Sequence, residues 1–133
     1  MKDNKKKRTF DLVTFGQLLL RLSPPNNERL MRCDVFEKQV GGAELNVATG
    51  VALLGLHTGI ISKLPSHDIG SFMKGKIRSY GVSDDFFIYD KNPGARVGIY
   101  YYENGAYPRK PKVIYDRANS SFYSLDIDEI PEE

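Results

Sequence analysis

Two short segments of this chain carry residues whose types and spacing suit ligand chemistry. The first is Gly41-Gly42-Ala43-Glu44-Leu45-Asn46-Val47-Ala48, a glycine pair at the mouth of an apolar helix with the amide of Asn46 in its first turn. A helix mouth offers unpaired backbone N–H groups and the positive end of the helix dipole. Glycine lets backbone approach a ligand with no Cβ in the way. A sugar or phosphate pocket fits this pattern. So does a close-packed turn that needs glycine for positive φ, and the residues alone leave both open. The second segment is Tyr115-Asp116-Arg117. Tyr115 and Arg117 lie two apart on a strand and share one face, as Tyr100 and Tyr102 do on the strand before it. A guanidinium beside phenols suits a carboxylate: Arg supplies a bidentate charged contact and Tyr adds directional hydrogen bonds. A solvated amphipathic hairpin with aromatic cross-strand pairs has the same spacing.

Other candidates fall away. Gly70-Ser71-Phe72-Met73-Lys74-Gly75-Lys76 has the GxxxxGK form of a phosphate-binding loop. Ile77 stands where Ser or Thr must hold Mg²⁺, and the segment lies inside an amphipathic helix instead of between strand and helix. His57 and His67 have no metal-ligand spacing to each other or to Cys33. Cys33 is the single cysteine, so there is no internal disulfide and no CxxC zinc cluster. Asn119-Ser120-Ser121 matches a glycosylation sequon but carries no weight without a secretion signal. There is no serine nucleophile elbow and no GxGxxG.

The elements that must position the two segments can be read along the chain. Residues 9–15 form a buried first strand ending at Gly16, and 18–22 continue apolar. Ser23 to Asn27 is a loop by its turn chemistry. Residues 34–40 alternate as a strand. A helix follows over 43–54, with an apolar stripe of Leu45, Ala48 and Ala52 widened by Val47, Val51 and Leu54, and Gly55 caps it. Residues 58–63 are a buried strand, 65–70 a loop, 68–80 a helix ended by Gly81, and 85–89 a short strand. This β-α-β-α-β order favours a mostly parallel sheet with helices packed on it. Residues 96–103 and 111–118 flank the turn Asn104-Gly105-Ala106-Tyr107-Pro108 and read as an antiparallel hairpin. With 34–40 they make a small antiparallel sheet apart from the parallel one.

Composition bounds the remaining classes. The 133 residues are one domain's worth of chain, and 41% hydrophobic with 27% charged is ordinary for a globular protein. No apolar run approaches the roughly 18 residues needed to span a bilayer. Residues 1–8 are a basic tail expected to be disordered, with no apolar stretch of signal-peptide type behind it. The expectation is a cytoplasmic protein without a membrane partner. The formal net charge is only +2, and the basic tail is balanced by the acidic residues 126–133. No folded face concentrates positive charge, which argues against a nucleic-acid partner.

Taken together, these residues resemble the N-terminal part of the ribokinase-like (PfkB) carbohydrate kinases, and within them the 2-keto-3-deoxygluconate kinases. The resemblance rests on Val13-Thr14-Phe15-Gly16-Gln17, Arg21-Leu22-Ser23-Pro24-Pro25, the segment from Gly41 to Ala48, Leu54-Gly55-Leu56, Lys63-Leu64-Pro65, Tyr80-Gly81-Val82, Gly98-Ile99-Tyr100 and Val113-Ile114-Tyr115-Asp116-Arg117-Ala118. It covers residues 9–133, nearly the whole chain after the tail. The glycine-pair segment marks the superfamily; the Arg-Leu-Ser-Pro-Pro and Tyr-Asp-Arg-Ala segments point to the sugar-acid branch.

The resemblance implies an α/β ribokinase-like fold with a lid made of the strands near 34–40, 96–103 and 111–118. It implies that Gly41, Gly42 and Asn46 face the sugar's hydroxyls and that Tyr100, Tyr115 and Arg117 take the 2-keto acid end, Arg117 on the carboxylate. Tyr102 is the fallback for Tyr100. It also implies a homo-oligomer assembled through the lid. Gln17 departs from the pattern, since the sugar-acid branch usually carries Glu there. The family's catalytic aspartate sits in a glycine-rich anion hole, and no glycine-rich stretch ending in aspartate follows residue 55. ATP and Mg²⁺ are therefore expected to act in the complete enzyme and not on these residues, and the chain is expected to be inactive alone, with exposed edges that favour self-association. Two other readings share the residues: a non-enzymatic sugar-acid binding module, and a ribokinase-like kinase for a neutral sugar such as fructose or ribose.

Overall fold

The computed structural model describes residues 9–131; the tail expected over residues 1–8 and the last two residues lie outside the described residues. In chain order the elements are β1 Leu12–Phe15, β2 Leu19–Ser23, β3 Glu37–Gly41, α1 Ala43–Leu53, β4 Thr58–Pro65, α2 Asp68–Ser79, β5 Val82–Ser83, β6 Phe87–Asp90, β7 Gly98–Glu103 and β8 Lys112–Asp116. They build two sheets. In the first, β4 is the centre, pairing in parallel with β1, β5 and β6. Its residues are buried almost without interruption, as a strand covered on both faces requires. Ile60 and Leu64 of β4 meet Leu45 and Ala48 of α1 and Met73 and Ile77 of α2 in one core cluster. Each such large side chain contributes about 1.5–3 kcal/mol on burial.

The second sheet has the order β3-β2-β7-β8. Here the structure departs from expectation in two ways. Residues 19–23 are not a continuation of β1 but a strand of their own, inserted between β3 and β7. The sheet is also mixed: β2 pairs antiparallel with β3 and β7 antiparallel with β8, but β2 runs parallel to β7. Residues 16–18 pass from one sheet to the other with Gly16 as the one turn-type residue, and Leu18, Leu19 and Leu20 are all buried where the sheets meet. The short strand expected over 85–89 is β6, and β5 is a further, unexpected two-residue strand before it; both lie beside β4.

Strand alternation divides the second sheet. Leu20, Val40 and Ile99 occupy adjacent rungs and join the core cluster. Leu19, Gly41, Gly98, Tyr100 and Tyr115 point the other way. The stripe expected on α1 is only half buried. Leu45 and Ala48 are in the core, whereas Val47, Leu53 and Leu54 are exposed, the two leucines at 80%. This helix is apolar on more than one face, and the sheet covers only one. No helix among the described residues is long and apolar enough to cross a membrane.

Polar contacts hold the last described segment on the parallel sheet. Lys63 Nζ, on a side chain only 8% exposed, donates to both carboxylate oxygens of Glu129 at 2.8 Å. Buried Asp90 accepts from the Ser121 hydroxyl at 2.7 Å and from Asn92. The Ser121 hydrogen bond, aided by Asn92 and Lys63, holds the Asp90 carboxyl below its ordinary range. Glu129 is lowered too, by the Asp126 backbone N–H and then by Lys63. A carboxyl depressed on folding contributes stability that is present above its unfolded value, near 4, and lost as pH falls through the folded value. The melting temperature should therefore drop on acidification below about pH 4, and Asp90→Asn should flatten that drop. An identical acid limb in the variant would remove Asp90 from the account.

Candidate functional site

The turn between β3 and α1 is made by one glycine. Gly41 ends β3 opposite Leu19, and Gly42 caps α1 with φ 140° and ψ 140°. Only glycine adopts that conformation readily. A Cβ at position 42 would also lie 2.9 Å from the backbone oxygen of Gln17. The two readings of the glycine pair are thus joined: the turn is close-packed, and it also opens on a cleft. That cleft, of about 360 Å³, is lined by Gln17, Leu19, Gly42, Ala43, Glu44, Asn46, Tyr100, Tyr115 and Arg117.

Five of the six residues singled out from the sequence meet in this cleft. Gly41 stands behind it: a Cβ there would come 2.5 Å from the Tyr100 hydroxyl, so its bare Cα gives the phenol its place. Asn46 is exposed in the first turn of α1, its own N–H closing the first helical bond to Gly42 at 3.0 Å. Tyr100 and Tyr115 are directly opposite on β7 and β8, with ring centroids 6.1 Å apart. Tyr102 is not in the cleft; its ring lies under the Arg21 guanidinium at 5.5 Å.

Arg117 follows the last residue of β8 and is exposed. Its guanidinium lies 5.7 Å from the Tyr115 ring. Its Nε and Nη2 donate to Gln17 Oε1 at 3.1 and 2.9 Å. Gln17 Nε2 in turn donates to Ser120 Oγ at 2.6 Å. Arg96 holds the backbone on both sides of Arg117 by donating to the carbonyls of Asp116 and Ala118 at 3.0 and 2.7 Å. Among the described residues no carboxylate forms an ion pair with Arg117. A positive charge is therefore presented beside two phenols and a helix mouth, an arrangement suited to a small polyol bearing an anionic end.

Two lining residues, Gln17 and Glu44, were not candidates from the sequence. Gln17 reaches the cleft only because β1 and β2 belong to different sheets. Glu44 folds back over Gly16, whose missing Cβ leaves room for its carboxylate, and it adds a negative group on the helix side. No group of three or more His, Cys, Asp or Glu side chains among the described residues could hold a metal ion. A second cleft, of about 450 Å³, lies on the other face of the second sheet, with Arg29, Glu103, Arg109 and Lys112 in its wall.

Comparison with known proteins agrees with this architecture. The pattern of the pfkB family carbohydrate kinases matches residues 9–132. A 2-dehydro-3-deoxygalactonokinase of Haloferax volcanii is 39% identical over 122 residues, which cover 92% of this chain and 37% of that protein. A 5-dehydro-2-deoxygluconokinase of Bacillus anthracis is 32% identical over 130 residues, 97% of this chain and 39% of that protein. The crystal structure of 2-dehydro-3-deoxygluconokinase from Thermotoga maritima superposes with a TM-score of 0.84 at 40% identity, over 90% of this chain and 36% of that one. The chain thus spans well under half the length of the relatives it matches.

Proposed function

The chain belongs to the pfkB family of carbohydrate kinases, and from that premise we propose that it carries the acceptor-sugar half of a sugar-acid kinase whose substrate is 2-keto-3-deoxygluconate. The observation that carries this reading is the Arg117 guanidinium, held in the cleft by a neutral amide beside Tyr100 and Tyr115. A neutral sugar such as fructose or ribose has no charge to place there. The relatives from Haloferax volcanii and Bacillus anthracis are named for dehydro-deoxy sugar acids, which supports the same class.

In this reading Gly42 and Asn46 meet the hydroxyl end of the sugar, and Tyr100, Tyr115 and Arg117 take the 2-keto acid end. The second sheet is the lid, and copies of the complete protein associate through it in the cytoplasm. ATP with Mg²⁺ supplies the phosphoryl group when bound to the complete enzyme. The residues present here contain no glycine-rich anion hole for it. What this chain does is bind and orient: the fixed cation at one end of the cleft sets which hydroxyl stands at the other.

The first experiment is the intact mass of the native gene product, followed by its assay. A mass well above 15.0 kDa, with ATP-dependent phosphorylation of 2-keto-3-deoxygluconate and none by residues 1–133 alone, is the expected result. Turnover by the 133-residue chain would overturn the division of labour. Equal binding of fructose and the sugar acid would overturn the carboxylate assignment.

A further inference from the structure

We propose, building on the assignment of Arg117 to a substrate carboxylate, that Gln17 is a positioning residue whose amide oxygen aims the Arg117 guanidinium into the cleft. The two residues are far apart in the chain, and Gln17 belongs to the link between the sheets. Gln17 is 6% exposed, and both ends of its amide are engaged. Arg offers donors only, so the amide oxygen must face Arg117 and the NH₂ must face Ser120. The side-chain orientation is thereby fixed from both ends.

Apart from the Tyr115 ring 5.7 Å away, Gln17 is the one side chain among the described residues that holds the guanidinium. Arg117 lies on the surface one residue past the end of β8, and an unheld arginine carries rotamer entropy of roughly 2 kcal/mol. Fixing it before the ligand arrives removes part of the ordering cost of binding. The two donors that Gln17 takes, Nε and Nη2, are on one edge of the planar fork. Nη1 has no hydrogen-bond partner among the described residues, and with its edge it is left for a ligand.

Close packing keeps Gln17 in place. A Cβ at position 98 would lie 2.6 Å from Gln17 Nε2, and one at position 42 would lie 2.9 Å from the Gln17 backbone oxygen. Two glycines, one in β7 and one at the mouth of α1, therefore make the slot that this one residue fills. A buried amide serving stability alone needs hydrogen-bond partners, but it does not need one of them to be an exposed cation in a cleft.

The test is calorimetric titration of the native gene product with 2-keto-3-deoxygluconate. Gln17→Met keeps the length and removes the acceptor. It should weaken binding about tenfold, the low end for loss of a hydrogen bond to a charged group. In an Arg117→Ala background the same change should have no further effect. Gln17→Glu keeps an acceptor in place and should bind at least about threefold more tightly than Gln17→Met in 0.5 M salt, where screening limits the effect of its added charge. Gly98→Ala crowds the amide without deleting it and should weaken binding in the same direction, which covers the case that Gln17→Met does not fold. Wild-type affinity in Gln17→Met, an equal loss with and without Arg117, or Gln17→Glu no better than Gln17→Met would each overturn the proposal. Unchanged affinity in Arg117→Ala alone would instead remove the carboxylate assignment beneath it.

Discussion

Replacing Arg117 by alanine is expected to lower the affinity of the native gene product for 2-keto-3-deoxygluconate by about 1.5–3 kcal/mol, roughly 10- to 150-fold. The loss should be specific to the acid, because the groups at the helix mouth, Gly42 and Asn46, stay in place. The substitution also takes both donors from Gln17 Oε1, which is buried. An acceptor left without a donor costs about 1–3 kcal/mol unless water replaces it, so some stability is lost with the affinity. Arg117→Lys separates the two effects. A lysine ammonium still reaches the amide oxygen, so stability should return. It cannot form the planar two-point contact with a carboxylate, so affinity should return only in part. Thermal melts and calorimetry on both variants give the comparison, and full affinity in either one removes Arg117 from carboxylate recognition.

The second large effect is expected at Gly42. Alanine there must hold φ 140° and ψ 140°, a region open essentially to glycine alone, at a cost of about 1–3 kcal/mol. Its Cβ would meet the Gln17 backbone oxygen at 2.9 Å, so the cleft wall must also shift. The melting temperature should fall by several degrees and sugar-acid binding should weaken with it. Gly50 is the matched control. It lies within α1 with nothing within 4 Å of a built Cβ, so Gly50→Ala should raise stability by about 0.5–1 kcal/mol. Equal melting temperatures for the two variants would contradict the close packing described at Gly42.

What the sequence made legible follows from the range of the interactions involved. The glycine turn, α1 and the β7–β8 hairpin are local, and their residues announce them: Gly42 before an apolar helix, and runs rich in Tyr, Val and Ile on either side of Asn104-Gly105. Pairing Tyr100 with Tyr115 needs only the right register across one turn. By contrast, β2 was hidden, because Leu18-Leu19-Leu20 continues the apolar character of β1, and Gly16, which ends β1, does not tell that the next strand joins another sheet. The role of Gln17 was hidden for the same reason, since its partners Arg117 and Ser120 come from the far end of the chain. Glu44 was not legible as a cleft residue, because its place there depends on Gly16 coming under it.

The way the two sheets are joined has a mechanical consequence. They are joined by residues 16–18, by the run from Gly42 through α1 to residue 57, and by residues 91–97, and the segment after β8 returns to the first sheet through Ser121 and Glu129. Residues 16–18 are the shortest of these crossings, and Gly42 is the single residue between β3 and the helix packed on the first sheet. Any rotation of the second sheet over the first must therefore be taken up as torsion at residues 16–18 and at Gly42, and Gln17 and Gly42 are themselves walls of the cleft. A molecule seated in the cleft would couple to the angle between the two sheets, and a preferred angle between them would equally be a preference for the molecule that fits.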